Sequence, residues 1–228
     1  MCIINKINEL PWHPTRRWGA RDLSDINKIV IHQELGEGSV EAVNNYHIQP
    51  NHISQSGCPH FCYHYGIEKD GSIIQANALQ HVTWHTGGHN KRAVGIMLVG
   101  NFQGLGHDKA SAGPTDAQMR SLKGLVAHLL KELKLDPQDV FGHYHFGKPA
   151  CPGHMVQGWI EEFRGHTATA DKSIRDIQQR LNELGYEAGP VDGIQGMQTI
   201  KAIRAFQEKS DLLTDGIPGP QTLKALFR

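Results

Sequence analysis

The chain has 228 residues, 39% hydrophobic and 20% charged, with 23 Lys+Arg against 23 Asp+Glu and a formal net charge of zero at pH 7. That balance excludes the basic footprint of a nucleic-acid binder and a polybasic membrane anchor, and no apolar run approaches the roughly 18 residues needed to span a bilayer. Composition allows a buried core, and the length suits one medium domain plus a small module.

The opening MCIINKINELPWHP lacks the apolar stretch and small-residue cleavage site of a secretory signal, so synthesis in the cytoplasm is expected. Cys2, Cys58, Cys62 and Cys151 are too few and too unevenly spaced for a disulfide scaffold, and reduced thiols are expected. The run Lys28-Ile-Val-Ile-His32 predicts a buried strand over 28–33 that ends in a histidine. A helix follows at 39–48, then strands at 62–68 and 73–76 joined by the hairpin turn Lys69-Asp70-Gly71-Ser72, and a strand at 94–100. A helix over 115–134 opens at Thr115, with Asp116 in its first turn. Its Met119, Leu122, Leu125, Val126, Leu129 and Leu133 form one apolar stripe for packing on a sheet. A further helix is predicted at 154–164.

All 15 histidines lie between His13 and His166, while charge stays balanced from Asp171 onward, eight basic residues against eight acidic. Chemistry is therefore expected in the first part only. The polar stretch RGHTATADK reads as a linker, which predicts domains at 1–165 and 173–228 with the linker at 166–172. In the second part, Asp192-Gly-Ile-Gln-Gly-Met-Gln-Thr-Ile-Lys-Ala-Ile203 recurs as Asp215-Gly-Ile-Pro-Gly-Pro-Gln-Thr-Leu-Lys-Ala-Leu226, eight of twelve positions identical at a spacing of 23. Each copy is a glycine turn feeding a helix, with Pro220 suited to the first helical position. Ile200, Ile203 and Phe206, then Leu223, Leu226 and Phe227, fall on helical faces. An earlier helix carries Ile174, Ile177, Leu181 and Leu184 before Gly185. The stretch from IRDIQQRLNELGYEAGPVDG to DGIPGPQTLKALF resembles the three-helix peptidoglycan-binding domain appended to cell-wall hydrolases, which implies a wall anchor without chemistry of its own.

Three ligand sets compete in the first part. His32, His143 and Cys151 supply two imidazoles and a thiolate, a three-ligand zinc set that leaves the fourth position open. His81, His85 and His89 have helical spacing, although Gly87-Gly88 disfavours a continuous helix there. Cys58 and Cys62 around His60 could hold a small structural metal or form a local disulfide. No HExxH occurs.

Five motifs stand in order: IVIHQE, CYHYGIEKDGSI, WHTGGHNKRAVGIMLVGNF, TDAQMRSLKGLVAHLLKEL and GHYHFGKPACPG. With them, residues from about 23 to 163 resemble the zinc N-acetylmuramoyl-L-alanine amidase family, shared by phage endolysins and peptidoglycan recognition proteins. The resemblance implies an α/β fold, a mixed central β-sheet flanked by helices, beside the small all-α three-helix C-terminal domain. It implies zinc (Zn2+) on His32, His143 and Cys151, and Tyr63 as the active-site tyrosine that orients the zinc water or supports the transition state. His85 falls where the family has a histidine lining its cleft, a candidate for substrate contact or oxyanion support, and Asn90 is expected to bind substrate beside it. His64 alternates to the other strand face and reads as structural. Related enzymes carry a catalytic lysine two residues before the third ligand. Here Pro149 stands there and Lys148 one earlier, either aimed at the oxyanion or a solvated loop residue.

The activity implied is hydrolysis of the amide between N-acetylmuramic acid and L-alanine in bacterial peptidoglycan, by a monomeric phage endolysin that causes host lysis after release through a membrane pore. A non-catalytic recognition protein is the alternative, but such members commonly lack the third ligand, and Cys151 is present. A bacterial autolysin would more often carry an export signal. No spaced carboxylate pair of the glycosidase kind stands out.

Overall fold

The computed structural model describes residues 2–103, 113–164, 172–212 and 214–227, and the chain divides into two units, Met1–Arg164 and Gly165–Arg228. Most of the predicted linker lies outside the described residues.

The first unit contains β1 (Ile3–Asn5), β2 (Gly19–Ala20), β3 (Lys28–Gln33), α1 (Val40–Ile48), β4 (Tyr65–Ile67), β5 (Ile73–Gln75), β6 (His81–Val82), β7 (Ala93–Leu98), α2 (Asp116–Leu133), β8 (Val140–Gly142) and α3 (His154–Phe163). Six strands form one mixed sheet in the order β1-β5-β4-β7-β3-β8, and β2 pairs antiparallel with β6. In the sheet only β4 and β5 run antiparallel, joined by the predicted hairpin, where Gly71 takes a φ of 88°. The central strands β3 and β7 are parallel and covered on both faces, which is why each reads as a continuous apolar run.

One face of the sheet carries Ile29, Ile31, Ile67, Ile96 and Leu98 against Leu122, Leu125, Val126 and Leu129 of α2 and Val156 and Ile160 of α3. The opposite face packs Met97 and Ile74 against Val40 and Val43 of α1, with Phe61 and Leu10. The start of α2 is closed by a reciprocal pair: Thr115 Oγ1 accepts from Gln118 N–H at 3.0 Å, and Gln118 Oε1 accepts from Thr115 N–H at 3.0 Å.

The strand expected over 62–68 is confined to Tyr65–Ile67. Before it, the buried Asn77 amide donates to the carbonyls of Phe61 and Tyr63, both at 2.7 Å, and Cys62 N–H donates to His47 Nδ1 at 3.1 Å. Side chains thus take bonds that a ladder would otherwise use. Strands β1 and β8 are three residues each, too short for a sequence period to show.

The second unit contains α4 (Ile174–Glu183), α5 (Met197–Lys209) and α6 (Pro220–Leu226) around Ile177, Leu181, Ala188, Ala202, Ile203, Phe206 and Leu226. Leu184, expected on the apolar face, is the C-cap residue of α4 and 43% exposed. The sequence repeat has a structural counterpart. Gln178 Nε2 lies 2.9 Å from Asp192 Oδ1, 3.0 Å from Ile194 O and 3.2 Å from Thr199 Oγ1, while its Oε1 accepts from Gly193 N–H at 2.9 Å. Gln207 makes the same four contacts with Asp215 (2.7 Å), Ile217 (2.8 Å), Thr222 (3.1 Å) and Gly216 (2.8 Å). Each Asp-Gly-Ile turn is therefore tied to a buried glutamine on the preceding helix.

Candidate metal centre and active-site cleft

Strand pairing brings two histidines together. In the parallel pair of β3 and β8, Ile31 lies opposite Gly142, so the next residues, His32 and His143, emerge side by side at the carboxyl ends of neighbouring strands. Such ends are where open α/β sheets place their sites. From His143 the chain makes a short helical turn to Phe146 and folds back on itself. Lys148 N–H donates to His143 O at 3.3 Å, Cys151 N–H to Lys148 O at 2.9 Å, and Tyr144 N–H to Cys151 O at 2.9 Å. This closed loop sets Cys151 beside His143. One ligand atom each from His32, His143 and Cys151 lies within 4.8 Å of the others, the one such group among the described residues. The rival sets do not assemble. His81 sits on β6, while His85 and His89 lie outside any common helix, and Cys58 and Cys62 are free thiols with sulfurs 3.1 Å apart.

The hydrogen-bond pattern decides which nitrogen of His32 is free. His85 Nε2 lies 3.3 Å from Ala93 O, and a carbonyl only accepts, so that nitrogen carries the proton of a neutral ring. Burial holds His85 neutral by lowering its pKa to about 3. Its Nδ1 is then an acceptor, 3.1 Å from His32 Nε2 and 2.8 Å from Thr86 Oγ1. His32 Nε2–H donates to it, which leaves a lone pair on His32 Nδ1, 3.1 Å from His143 Nδ1. Burial drives the His32 pKa well below the ordinary value, and it lowers that of His143 to about 4, with Lys148 adding to the effect. Burial also pushes the Cys151 thiol up to about 11, opposed by the Gln33 N–H at 3.4 Å from its sulfur. A cation among these atoms would reverse that preference and favour the thiolate.

These residues open onto a cavity of about 640 Å³, lined by His32, Glu34, Tyr63, His143, Lys148 and Cys151 among others. The Tyr63 ring stands 4.9 Å from that of His32, and burial raises its phenol pKa, keeping the hydroxyl protonated. Lys148 is exposed on the ligand loop. Of the two predicted cleft contacts, His85 is buried behind His32, with Gly95 so close that a Cβ there would approach the His85 ring to 2.7 Å. Asn90 Oδ1 accepts from the N–H groups of His85 (3.0 Å) and Thr86 (2.7 Å), and so fixes that loop. His64 is buried on the far side, 2.9 Å from Arg21 Nη2. Sequence reasoning missed Gln33, Glu34 and His47 on the cavity wall, and Asn77, which holds the Tyr63 carbonyl. Nothing in the sequence marks an isolated amide or acid in a loop.

A mixed sheet with helices on both faces and a His-His-Cys group at its carboxyl edge places the molecule in the amidase and peptidoglycan-recognition fold class. N-acetylmuramoyl-L-alanine amidase LysC from Clostridium intestinale URNW has a TM-score of 0.56 at 24% identity, over 71% of this chain and 96% of that one. Peptidoglycan recognition protein LE, in complex with tracheal cytotoxin, has a TM-score of 0.57 at 19% identity, over 70% and 92%. At these identities the likeness concerns the fold. Residues 22–154 match the N-acetylmuramoyl-L-alanine amidase family, to which the chain belongs, and residues 170–226 match a putative peptidoglycan binding domain. The endolysin of Escherichia phage T7 is 31% identical over 110 residues, 48% of this chain and 69% of that protein. The chain is thus a cell-wall amidase with a peptidoglycan-binding domain.

Proposed function

We propose that His32, His143 and Cys151 hold a zinc ion, and that the chain acts as a monomeric phage endolysin cutting the bond between the lactyl group of N-acetylmuramic acid and L-alanine. One observation carries the metal reading: the His32 tautomer fixed through His85 aims a lone pair at His143 Nδ1, 3.1 Å away. Ligand atoms of a tetrahedral zinc site sit about 3.3 Å apart when Zn–N is about 2.0–2.1 Å, so the spacing fits a shared ion. Zinc bound there supplies Lewis acidity toward the scissile carbonyl and makes water acidic enough to attack near neutral pH.

The protein's own residues do the rest. Tyr63, kept protonated by burial beside His32, presents a donor to the oxygen on which charge develops. Lys148, on the cavity wall, offers a cation to the same oxygen. His85 orients His32, and Asn90 orients the His85 loop, roles that the geometry favours over direct substrate contact. The C-terminal module keeps the cleft close to an insoluble polymer and raises its effective concentration there. No helix among the described residues is long and apolar enough to cross a membrane. Access to the wall would come after release through a membrane pore, as the phage endolysin role requires.

End-group analysis tests the whole reading. Purified peptidoglycan incubated with the protein should gain alanine amino termini without new reducing sugars, and a zinc chelator should stop the gain. A protein that sediments with the wall and releases no alanine termini would instead be a recognition protein.

A further inference from the structure

A buried amide beside the metal centre has no part in the chemistry above. Gln33 follows His32 on β3 and is 3% exposed. Its side chain reaches two separate loops. Nε2 donates to Ala150 O at 2.7 Å, and Oε1 accepts from Phe102 N–H at 2.5 Å. Its backbone N–H is directed at Cys151 Sγ, 3.4 Å away. One residue thus holds the carbonyl just before the third ligand, the sulfur of that ligand and the segment that follows β7.

The loop needs such a hold because Cys151 lies in no strand or helix. The backbone bond between Tyr144 and Cys151 ties it only to its own loop, and so to His143. Gln33 adds a direct tie from the Cys151 end of the loop to β3, beside the β3–β8 pairing that sets His143 next to His32 and the Gln157 amide that holds Pro149 O at 2.8 Å. The Phe102 segment is a firm second anchor: Gly153, two residues past Cys151, has a φ of 93°, and a Cβ there would lie 2.2 Å from Phe102 O. Only an amide serves both ends of the clamp. Glutamate would set a carboxylate oxygen against the Ala150 carbonyl, and methionine would fill the space while leaving the buried Phe102 N–H without its acceptor and the Ala150 carbonyl untied from β3.

We infer that Gln33 is a positioning residue for the metal centre, clamping the Cys151 loop against β3 so that the thiolate meets the ion held by His32 and His143. The inference rests on the ligand assignment proposed above.

The test uses the full chain and reads zinc affinity by competition with a chromogenic chelator, together with the thiolate-to-metal absorption band of the cobalt(II)-substituted protein. Gln33→Met should stay folded and bind zinc about 10- to 100-fold more weakly, with a weakened or shifted cobalt band. Gln33→Asn keeps an uncharged amide and withdraws it by one methylene from Ala150 and Phe102, so it gives a second uncharged variant if Gln33→Met does not fold. Cys151→Ser is the comparator and should lose the band. Wild-type zinc affinity and band in a folded Gln33 variant, with the band lost in Cys151→Ser, would overturn the inference alone. A lower thermal midpoint of the metal-free Gln33 variant with unchanged zinc affinity would mark a purely structural role and overturn it equally. A band that persists in Cys151→Ser would overturn the ligand assignment and the inference with it.

Discussion

His32 Nε2 lies 3.1 Å from His85 Nδ1, and this contact fixes the chemistry of the opposite edge of the His32 ring. With the His85 Nε2–H committed to Ala93 O at 3.3 Å, the proton on His32 is confined to Nε2 and its Nδ1 is free to bind a metal. Replacing His85 by alanine removes the acceptor and leaves the His32 tautomer unspecified. The expected outcome is a zinc affinity about 10- to 100-fold lower, read by equilibrium dialysis against buffered zinc. A His85 that only touched substrate would instead raise KM and leave zinc binding unchanged.

Tyr63 tests the catalytic side of the site without touching the ligands. Its ring packs beside Phe61 and His32 with centroids 5.3 and 4.9 Å away, so Tyr63→Phe should preserve the packing while removing the hydroxyl. Loss of one aimed donor to a developing oxyanion costs about 10²-fold or more in kcat. Turnover on soluble muropeptides should fall by that order with bound zinc unchanged. Wild-type turnover would leave Tyr63 a core residue.

Much of this arrangement could be read from sequence, but unevenly. Strand β3 stood out because burial on both faces leaves an unbroken apolar run, and α2 because its 18 residues repeat one stripe behind a Thr-x-x-Gln cap. His32, His143 and Cys151 could be ranked by spacing and family resemblance, and the fold does gather them. Strands β1 and β8 escaped notice because three residues show no period and no hairpin turn marks them, as Lys69–Ser72 marks the equally short β4 and β5; Ile73–Gln75 and Ile29–Ile31 define them as partners. Gln33 and Asn77 were invisible for a different reason. Each acts through carbonyls and N–H groups far away along the chain, and only the finished fold supplies those partners.

Acid should destabilise the first unit through its buried neutral histidines, among them His47 and His60, which are outside the proposed ligand set. Burial lowers the pKa of both His47 and His60 to about 4 from an ordinary 6.5. His60 stacks on Trp12 at 4.3 Å, and His47 Nδ1 accepts the Cys62 N–H. The unfolded chain therefore takes up protons between pH 6.5 and 4 that the folded chain refuses. Stability that is full above pH 6.5 is lost as the pH falls toward 4, by up to about 3 kcal/mol for each histidine. Urea midpoints of the zinc-free protein at pH 7.5 and 4.5 measure the loss. His60→Gln should show a smaller drop over that interval, and an equal drop would remove His60 from the account.

The paired glutamines of the second unit offer a test of whether the two units work separately. Gln178 and Gln207 each hold an Asp-Gly-Ile turn through four contacts, and the core beneath them is only a handful of apolar side chains. Replacing either by alanine leaves a glycine N–H without its acceptor and removes one donor from a turn carbonyl that keeps its bond from the Gly196 or Gly219 N–H, both at 2.8 Å, a loss on the order of 1–3 kcal/mol. A module this small has little stability to spare. Gln207→Ala and Gln178→Ala should therefore weaken sedimentation with purified wall to a similar degree. Cleavage of small soluble muropeptides needs only the cleft of the first unit and should stay at the wild-type rate. Loss of both activities in either variant would show that the amidase cleft depends on an intact C-terminal module.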